Sequence, residues 1–285
     1  MAITGTGTQA DPWIVHNYDE IKDVFQNKVS SDYLYAKLAN DIDCNDYGDT
    51  WEWETIKVRA SWNFEFDLDG HTIKNIMIKS GNSLFYGASD LNVIHNGKIL
   101  NVFNNAGESV IAGNGLTLKD ISMSVNGAGL TSYAFNFTKF QNCAIYFKSN
   151  KLLDHFYNHN TGTSEMVKNS DFYFEIGDIN YKNLFHNITS VGLIDSCRFR
   201  GKIGGNKDYG WLHYYAVNNS VIEIDTTEST GYNSATMNIS QGTIINTDIC
   251  SETQTATQLI KCTTAQMRDA DYLNSIGFAV VKVGE

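Results

Sequence analysis

Val167-Lys168-Asn169-Ser170-Asp171-Phe172-Tyr173-Phe174 carries a pattern that recurs along the chain and from which the architecture follows. The pattern is an apolar residue, any residue, Asn, Asp or Ser, a small residue, any residue, and then apolar residues at alternate positions. Eight copies, two of them lacking the small residue, place their polar residue at Asn75, Asn96, Asp120, Asn142, Asn169, Ser196, Asn219 and Asn246. Successive copies are therefore 21 to 27 residues apart, and a repeat of this length predicts a solenoid.

The residues within each copy alternate with period two, which predicts short strands and not the Leu-x-x-Leu-x-Leu pattern of leucine-rich repeats. A second short run precedes the motif in most repeats, at Leu84–Phe85, Val110–Ile111, Ala134–Phe135, Leu184–Phe185, Ala235–Met237 and Leu259–Ile260. Two or three short strands per repeat, separated by Asn, Gly and Ser, predict an all-β fold. We expect a single-stranded parallel β-helix whose successive coils lie about 4.8 Å apart.

The recurring polar residue has a physical reason to stand at a corner of each coil. Asn tolerates the left-handed backbone conformation that a tight corner needs, and its side-chain amide can hydrogen-bond the equivalent residue one coil away. The single Pro of the chain agrees with this, since a central coil needs every backbone N–H for its ladder. The sequence therefore predicts that the polar residues lie above one another along one edge.

The chain is expected to form one domain, residues 1–285, because no linker interrupts the repeats. Residues 1–60 would form an N-terminal cap and the first coils, residues 61–250 the repeat body, and residues 251–285 a C-terminal cap. In the first part, Asp19 can begin a helix whose apolar stripe is Ile21, Val24 and Phe25. Such a helix can cover the hydrophobic end of a solenoid.

Composition argues against several classes of protein. A net charge of −11 without a compensating basic cluster argues against nucleic-acid binding. No run of about 18 apolar residues is present, so no membrane span is predicted. The first residues have neither a basic nor an apolar segment, so no signal peptide is predicted here, and we expect either synthesis in the cytosol or a signal that has been removed.

The five cysteines, Cys44, Cys143, Cys197, Cys250 and Cys262, form an odd set without Cys-x-x-Cys spacing. Cys143 and Cys197 occupy the same motif position two coils apart, a separation of roughly 9 to 10 Å. A disulfide requires Cα atoms within roughly 7 Å. The cysteines are therefore expected to be small buried residues, and no cofactor is predicted.

Two N-terminal segments carry a resemblance to a known family. Gly5-Thr6-Gly7-Thr8 leads to Asp11-Pro12-Trp13 and an amphipathic helix, and Phe66-Asp67-Leu68-Asp69-Gly70-His71 leads into the first repeats. These segments resemble the N-terminal cap and first coils of pectate-lyase-like right-handed parallel β-helix proteins of bacteria and phages, by motif over residues 5–100 and by periodicity beyond. The resemblance implies right-handed coils capped at both ends. It does not imply one activity, because this fold carries lyases, hydrolases, adhesins and phage spikes.

The outward positions of three neighbouring motif strands are acidic, basic and acidic in turn. Period-two alternation predicts these positions, which are Asp171, Tyr173 and Glu175, then Arg198, Arg200 and Lys202, then Val221, Glu223 and Asp225. One interpretation is cross-strand ion pairing that prevents like charges from stacking. The other, which the resemblance implies, is a catalytic face of a polysaccharide lyase or glycoside hydrolase. Its candidate residues are Asp171, Glu175, Arg198, Arg200, Glu223 and Asp225, although none matches a lyase signature.

An acidic loop, Asp41, Asp43, Asp46 and Asp49, lies near the first coils. A calcium loop needs oxygen ligands at defined alternation and a closing Glu, for which Glu52 stands near the right distance. Asp46 replaces the glycine expected at the sixth position. A solvated turn is therefore favoured over a metal site, whose candidate ligands are Asp41, Asp43 and Asp46.

Aromatic and histidine residues gather in consecutive repeats of the second half of the body. Exposed aromatic rings can stack on sugars, and histidine can act as an acid or a base. The candidates for glycan contact are Tyr173, Trp211, His213, Tyr214 and Tyr215. The same residues could equally fill a coil interior or a subunit interface.

A β-helix without a signal peptide and without a lyase signature is expected in a bacteriophage particle, as a tail spike, an appendage or a head fibre. We expect a homotrimer that contacts other virion proteins and binds host-surface polysaccharide through non-covalent, multivalent contacts. Catalysis is not expected. Two alternatives stay open: a polysaccharide lyase or glycoside hydrolase working on the exterior face, and a bacterial surface adhesin.

Overall fold

A computed structural model describes residues 3–28, 33–57, 63–104, 109–127, 133–150, 156–159, 165–177, 185–187, 192–204, 212–213, 215–218, 220–225, 244–245, 247–249, 259–260 and 271. This part of the chain contains helix α1 (Tyr18–Asn27), a 3-10 turn at Cys44–Tyr47 and 23 strands. The strands are β1 (Trp13–Val15), β2 (Tyr33–Leu38), β3 (Ile42–Asp43), β4 (Ile56–Lys57), β5 (Asn63–Asp67), β6 (Thr72–Ile78), β7 (Phe85–Asn104), β8 (Ile111–Gly127), β9 (Phe135–Asn136), β10 (Thr138–Gln141), β11 (Ala144–Ser149), β12 (Tyr157–His159), β13 (Glu165–Lys168), β14 (Asp171–Ile176), β15 (Phe185–Asn187), β16 (Gly192–Asp195), β17 (Arg198–Ile203), β18 (Leu212–His213), β19 (Tyr215–Asn218), β20 (Val221–Asp225), β21 (Ile244–Ile245), β22 (Thr247–Ile249) and β23 (Leu259–Ile260).

The strands pair in parallel and form three stacks around the solenoid. The first stack contains β1, β2, β5, β10, β13, β16, β19 and β21. The second contains β3, β6, β11, β14, β17, β20, β22 and β23, and the third contains β4, β9, β12, β15 and β18. The long strands β7 and β8 turn the corners and contribute to all three. The predicted all-β parallel solenoid is confirmed.

The polar motif residue stands at a corner in the left-handed conformation, as predicted. The φ angle is +60° at Asn96, +54° at Asp120 and Asn142, +49° at Asn169 and +54° at Ser196. Pairing of the flanking strands places these five residues above one another, and the amide of Asn142 donates to Oδ1 of Asp120 at 2.9 Å. The predicted single edge is confirmed for these residues. The predicted members Asn219 and Asn246 lie outside the described residues.

The predicted place of Asn75 on this edge is wrong. Asn75 also has a positive φ, +59°, but β6 pairs with the last part of β7, so the residue one coil away is Asn101 and not Asn96. The amide of Asn101 donates to Oδ1 of Asn75 (3.0 Å), and the amide of Asn75 donates to Oδ1 of Asp43 (2.8 Å). A second polar ladder therefore runs within the second stack, where Asn75 and Asn101 interrupt β6 and β7 with a positive φ.

Columns of aromatic rings fill the interior of the coils. Phe172 stacks on Phe199 of the next coil, with ring centroids 5.2 Å apart and planes at 12°, and it meets Phe140 of the preceding coil edge-on at 5.3 Å. Phe156 reaches this column from the side, 6.0 Å from Phe172. In-register stacking of matching side chains gives one continuous core along the solenoid.

Three of the cysteines are buried free thiols, Cys44, Cys143 and Cys197. The prediction of small core residues is confirmed for these three, and Cys250 and Cys262 lie outside the described residues. Burial raises the pKa of the Cys143 and Cys197 thiols to about 12. Both thiols are therefore protonated and unreactive at neutral pH.

Helix α1 packs on the first coils. Its N-cap is Asn17 and not the predicted Asp19, since Oδ1 of Asn17 accepts a hydrogen bond from the backbone N–H of Glu20 at 2.9 Å. Phe25 meets the ring of Phe64 edge-on at 5.0 Å. The predicted apolar stripe is buried, at Ile21, Val24 and Phe25. No helix in the described ranges combines the length and apolarity that crossing a membrane requires.

The capping roles of α1 and of residues 251–285 stay predictions, as do the boundaries of a single domain over residues 1–285. Of the C-terminal segment, Leu259–Ile260 and Asp271 belong to the described residues.

Candidate functional site

The exterior of the second stack at β11, β14 and β17 carries the best-defined group of polar and aromatic side chains. We call this surface the exterior face. Its strands are fully in register, so each outward residue of β14 has one neighbour on β11 and one on β17. The three columns are Ala144–Asp171–Arg198, Tyr146–Tyr173–Arg200 and Lys148–Glu175–Lys202. Alternate residues of β14 are buried, which explains why the outward ones form an unbroken surface.

Asp171 holds two arginines of the following coil. Nη2 of Arg198 donates to Oδ2 of Asp171. Arg200 donates to the same carboxylate twice, from Nη2 to Oδ2 at 2.8 Å and from Nε to Oδ1 at 3.3 Å. A bidentate contact between a guanidinium and a carboxylate orients the two side chains as well as pairing their charges. The carboxylate is therefore engaged on both oxygens and fixes both guanidiniums beside β14.

Glu175 is held by the preceding coil. Nζ of Lys148 donates to Oε2 of Glu175 at 2.8 Å, and the hydroxyl of Tyr146 interacts with the same carboxylate. The Lys148 hydrogen bond, assisted by Tyr146, holds the pKa of Glu175 below its ordinary value. Burial and the Glu175 contact raise the pKa of Tyr146. Glu175 is therefore a carboxylate and Tyr146 a neutral phenol at neutral pH.

Tyr146, Tyr173 and Arg200 form a stack along the solenoid axis. The rings of Tyr146 and Tyr173 are 5.7 Å apart with planes at 12°. The guanidinium carbon of Arg200 lies 5.8 Å from the centroid of Tyr173, within the range of a cation–π contact. Tyr173 is 38% exposed. The exterior face thus presents an aromatic column flanked by charged pairs.

The two described carboxylates of this face are poorly placed for paired acid–base chemistry. Asp171 and Glu175 stand four residues apart on β14, which is roughly 13 Å along a strand. Glycoside hydrolysis requires carboxyl groups about 5 to 5.5 Å or 6.5 to 9.5 Å apart. The backbone positions of the other two catalytic candidates are next to Arg200 and Lys202, at Glu223 and Asp225 of β20. The side chains of those two residues lie outside the described part of the structure.

The five candidates for glycan contact do not share one surface. Tyr173 belongs to the second stack, His213 to β18 of the third and Tyr215 to β19 of the first. The side chains of His213 and Tyr215, and the whole of Trp211 and Tyr214, lie outside the described residues. Tyr146 is not among the residues predicted for this face. The sequence could have indicated Tyr146, because it stands four residues after the corner residue Asn142, just as Tyr173 stands four residues after Asn169.

Carboxylates of the acidic loop near the first coils accept hydrogen bonds from other residues of the protein. Asp41 accepts from the backbone N–H of Thr72 (2.9 Å) and from Nδ1 of His71 (3.2 Å), contacts that lower the pKa of Asp41. The amide of Asn75 and other donors likewise lower the pKa of Asp43. Asp46 belongs to the 3-10 turn. Across the described ranges, no three His, Cys, Asp or Glu side chains are grouped to hold a metal ion.

Comparisons with known proteins give a limited result. No family model matches the chain, and no curated protein matches it. Among solved structures, the chain is similar to a putative immunoglobulin A1 protease from Bacteroides ovatus, with 16% sequence identity and a TM-score of 0.47 over 95% of this chain and 89% of the other. This similarity is too low to support an argument about function, and the fold stated above rests on the strand pairing.

Proposed function

We propose that this chain is a structural surface protein of a bacteriophage particle, a tail spike, an appendage or a head fibre, that binds host-surface glycan through the exterior face. The parallel solenoid is a rigid support for such a surface. Residues 5–100 resemble the β-helix proteins of phages and bacteria. Within the virion the chain would form a homotrimer and contact other virion proteins, which multiplies the number of glycan contacts per particle.

The observation that carries this proposal is the contrast between the carboxylates and the aromatic rings of the exterior face. Asp171 is tied to Arg198 and Arg200, and Glu175 is tied to Lys148. A catalytic carboxylate needs access to its substrate. The tyrosine column, in contrast, projects outward between hydrogen-bonding groups, the combination that sugar binding uses. Binding without turnover is therefore the function that this face supports best.

The test measures binding and turnover on the same polymers. Bacterial capsular and lipopolysaccharide O-chain polysaccharides are immobilised for binding, and the same polymers are incubated with the protein while reducing ends and unsaturated products are quantified. We expect binding without product. The double variant Tyr146→Ala/Tyr173→Ala should weaken binding by about tenfold or more, because two aromatic contacts are lost.

A matched control is a second exterior tyrosine pair, Tyr33 and Tyr35 of β2, whose rings are 4.7 Å apart on the first stack. Tyr33→Ala/Tyr35→Ala should retain binding. Product formation that disappears in Arg198→Ala or Glu223→Ala would contradict the proposal and establish a polysaccharide lyase or glycoside hydrolase. A bacterial surface adhesin would use the same face, and the genes that neighbour this one distinguish it from a virion protein.

A further inference from the structure

The two faces of the Tyr173 ring are both covered. Tyr146 lies against one face, with the ring centroids 5.7 Å apart and the planes nearly parallel. The guanidinium of Arg200, from the opposite neighbouring coil, lies 5.8 Å from the centroid of the ring. Tyr173 therefore offers a ligand its edge and its hydroxyl, and a sugar cannot lie flat on it unless the column is rearranged.

Tyr146 has a ring neighbour on one side and a small residue on the other. Its neighbour toward β8 is Ser124, which pairs with it in register. The described contacts place Tyr173 and Glu175 on the side toward β14, and none of the described rings or cations lies against the side toward β8. One face of Tyr146 therefore has no aromatic or cationic cover within the described part of the solenoid.

The polar contacts of Tyr146 and Ser124 point in opposite directions along the solenoid. The Tyr146 hydroxyl interacts with the Glu175 carboxylate on the following coil, on the side of β14. Oγ of Ser124 accepts from the backbone N–H of Asn101 on the preceding coil at 2.8 Å, which draws the serine toward β7. Two residues of β7 oppose Ser124 in a bulge at this point. Strands β8 and β11 keep regular parallel pairing here, and the short side chain of Ser124 leaves a gap on the exterior face beside the open face of Tyr146.

We infer that this gap binds one pyranose ring, stacked flat on the open face of Tyr146 above Ser124. The inference rests on the proposed glycan binding and specifies the residue that performs it. The apolar C–H face of a pyranose matches an aromatic surface in size and polarity. The Ser124 hydroxyl hydrogen remains available as a donor, because Oγ acts as acceptor toward Asn101.

The most discriminating variant fills the gap and leaves Tyr146, Tyr173 and Arg200 unchanged. Ser124→Tyr places a third tyrosine beneath Tyr146 and occupies the space assigned to the sugar. We expect this variant to keep the melting temperature of the wild-type protein within a few degrees and to lose at least about tenfold in affinity. Gln141→Tyr is the matched control, since it adds the same side chain at a half-buried strand position of the first stack. Gln141→Tyr should bind as the wild type does.

Tyr146→Leu provides the second measurement, because it removes the aromatic face and keeps apolar bulk if Ser124→Tyr fails to fold. The probes are oligosaccharides of glucose, galactose, rhamnose and N-acetylglucosamine, titrated in a calorimeter together with each polysaccharide retained in the binding screen. A loss of about tenfold in Tyr146→Leu supports the site. Wild-type affinity in folded Ser124→Tyr or Tyr146→Leu overturns the site and leaves the proposed function standing. Failure of the wild-type chain to bind any probe overturns both.

Discussion

At the scale of the residue, the corner position governs whether a coil can close. Asn142 adopts a φ of +54°, a conformation that costs a residue with a Cβ roughly 1 to 2 kcal/mol unless its side chain compensates locally. Asn142 compensates through its amide, which bonds Asp120 of the preceding coil. Its backbone N–H also donates to the carbonyl of Lys168 on the following coil at 3.0 Å. One residue thus joins three coils, which explains why Asn and Asp recur there.

We expect Asn142→Ala to destabilise the protein by about 1 to 2 kcal/mol, because the variant loses the amide bond and keeps an unfavourable φ. Asn142→Gly removes the same hydrogen bond but tolerates the backbone conformation, so its loss should be smaller. Urea unfolding monitored by far-ultraviolet circular dichroism measures both. Equal stability of the Ala and Gly variants would show that the left-handed conformation contributes nothing to the preference for Asn.

At the scale of the element, a single carboxylate fastens helix α1 to the coils. Oε2 of Glu54 accepts from Nζ of Lys22 on α1 at 2.6 Å, and Oε1 accepts from Nζ of Lys79, just after β6, at 2.7 Å. The backbone of Glu54 also bonds the hydroxyl of Tyr18 on the same helix. Lys22 and Lys79 lower the pKa of Glu54 from 4.5 to about 2.

The lowered pKa of Glu54 predicts how the stability of the protein changes with pH. A carboxylate whose pKa is lower in the folded protein than in the unfolded chain stabilises the fold at pH values above its unfolded pKa of about 4.5. This stabilisation is lost as the pH falls toward the folded pKa of about 2. Glu54 is 40% exposed, so solvent screening limits the effect to about 1 kcal/mol or less. Glu54→Gln should be less stable than the wild type at pH 7, and the difference should shrink between pH 4.5 and pH 2.

Thermal unfolding measured across this pH range tests the prediction, with the exposed neighbour Glu52 as control in Glu52→Gln. The control should follow the wild-type pH profile. A Glu54→Gln profile parallel to that of the wild type would mean that the two lysine contacts do not stabilise the docked helix.

At the scale of the whole molecule, the three stacks differ in charge. The second stack carries the ion pairs of the exterior face, whereas the described third-stack strands β4, β9, β12, β15 and β18, and the segments 85–88 of β7 and 111–115 of β8 that pair with each other there, contain no Asp or Glu. Copies of a chain with a net charge of −11 repel one another. Charged residues are depleted at the centres of protein interfaces. The subunits of the proposed homotrimer would therefore contact one another through the third stack.

We expect light scattering after size exclusion to give a mass three times the 31.8 kDa of one chain. Ala112→Glu, which adds a carboxylate to the third stack at a half-buried position, should shift the protein toward the monomer. Ser122→Glu adds the same charge to the second stack and should leave the mass unchanged. A wild-type protein that elutes as a monomer at micromolar concentration would contradict the homotrimer.

The sequence by itself determined the parallel β-solenoid and the left-handed corners at Asn96, Asp120, Asn142, Asn169 and Ser196 through the repeated motif, and the buried stripe of α1 through the spacing of its apolar residues. All of these follow from local rules, since a period of two, a corner conformation and an apolar helix face are each written within a few neighbouring residues. Only the tertiary structure decided that Asn75 belongs to a second ladder, that Asp171 holds two arginines and that Tyr146 stacks on Tyr173. Those facts depend on which residue lies opposite which on the next coil, and repeats of 21 to 27 residues bring residues into register by the lengths of their loops as well as by their motifs.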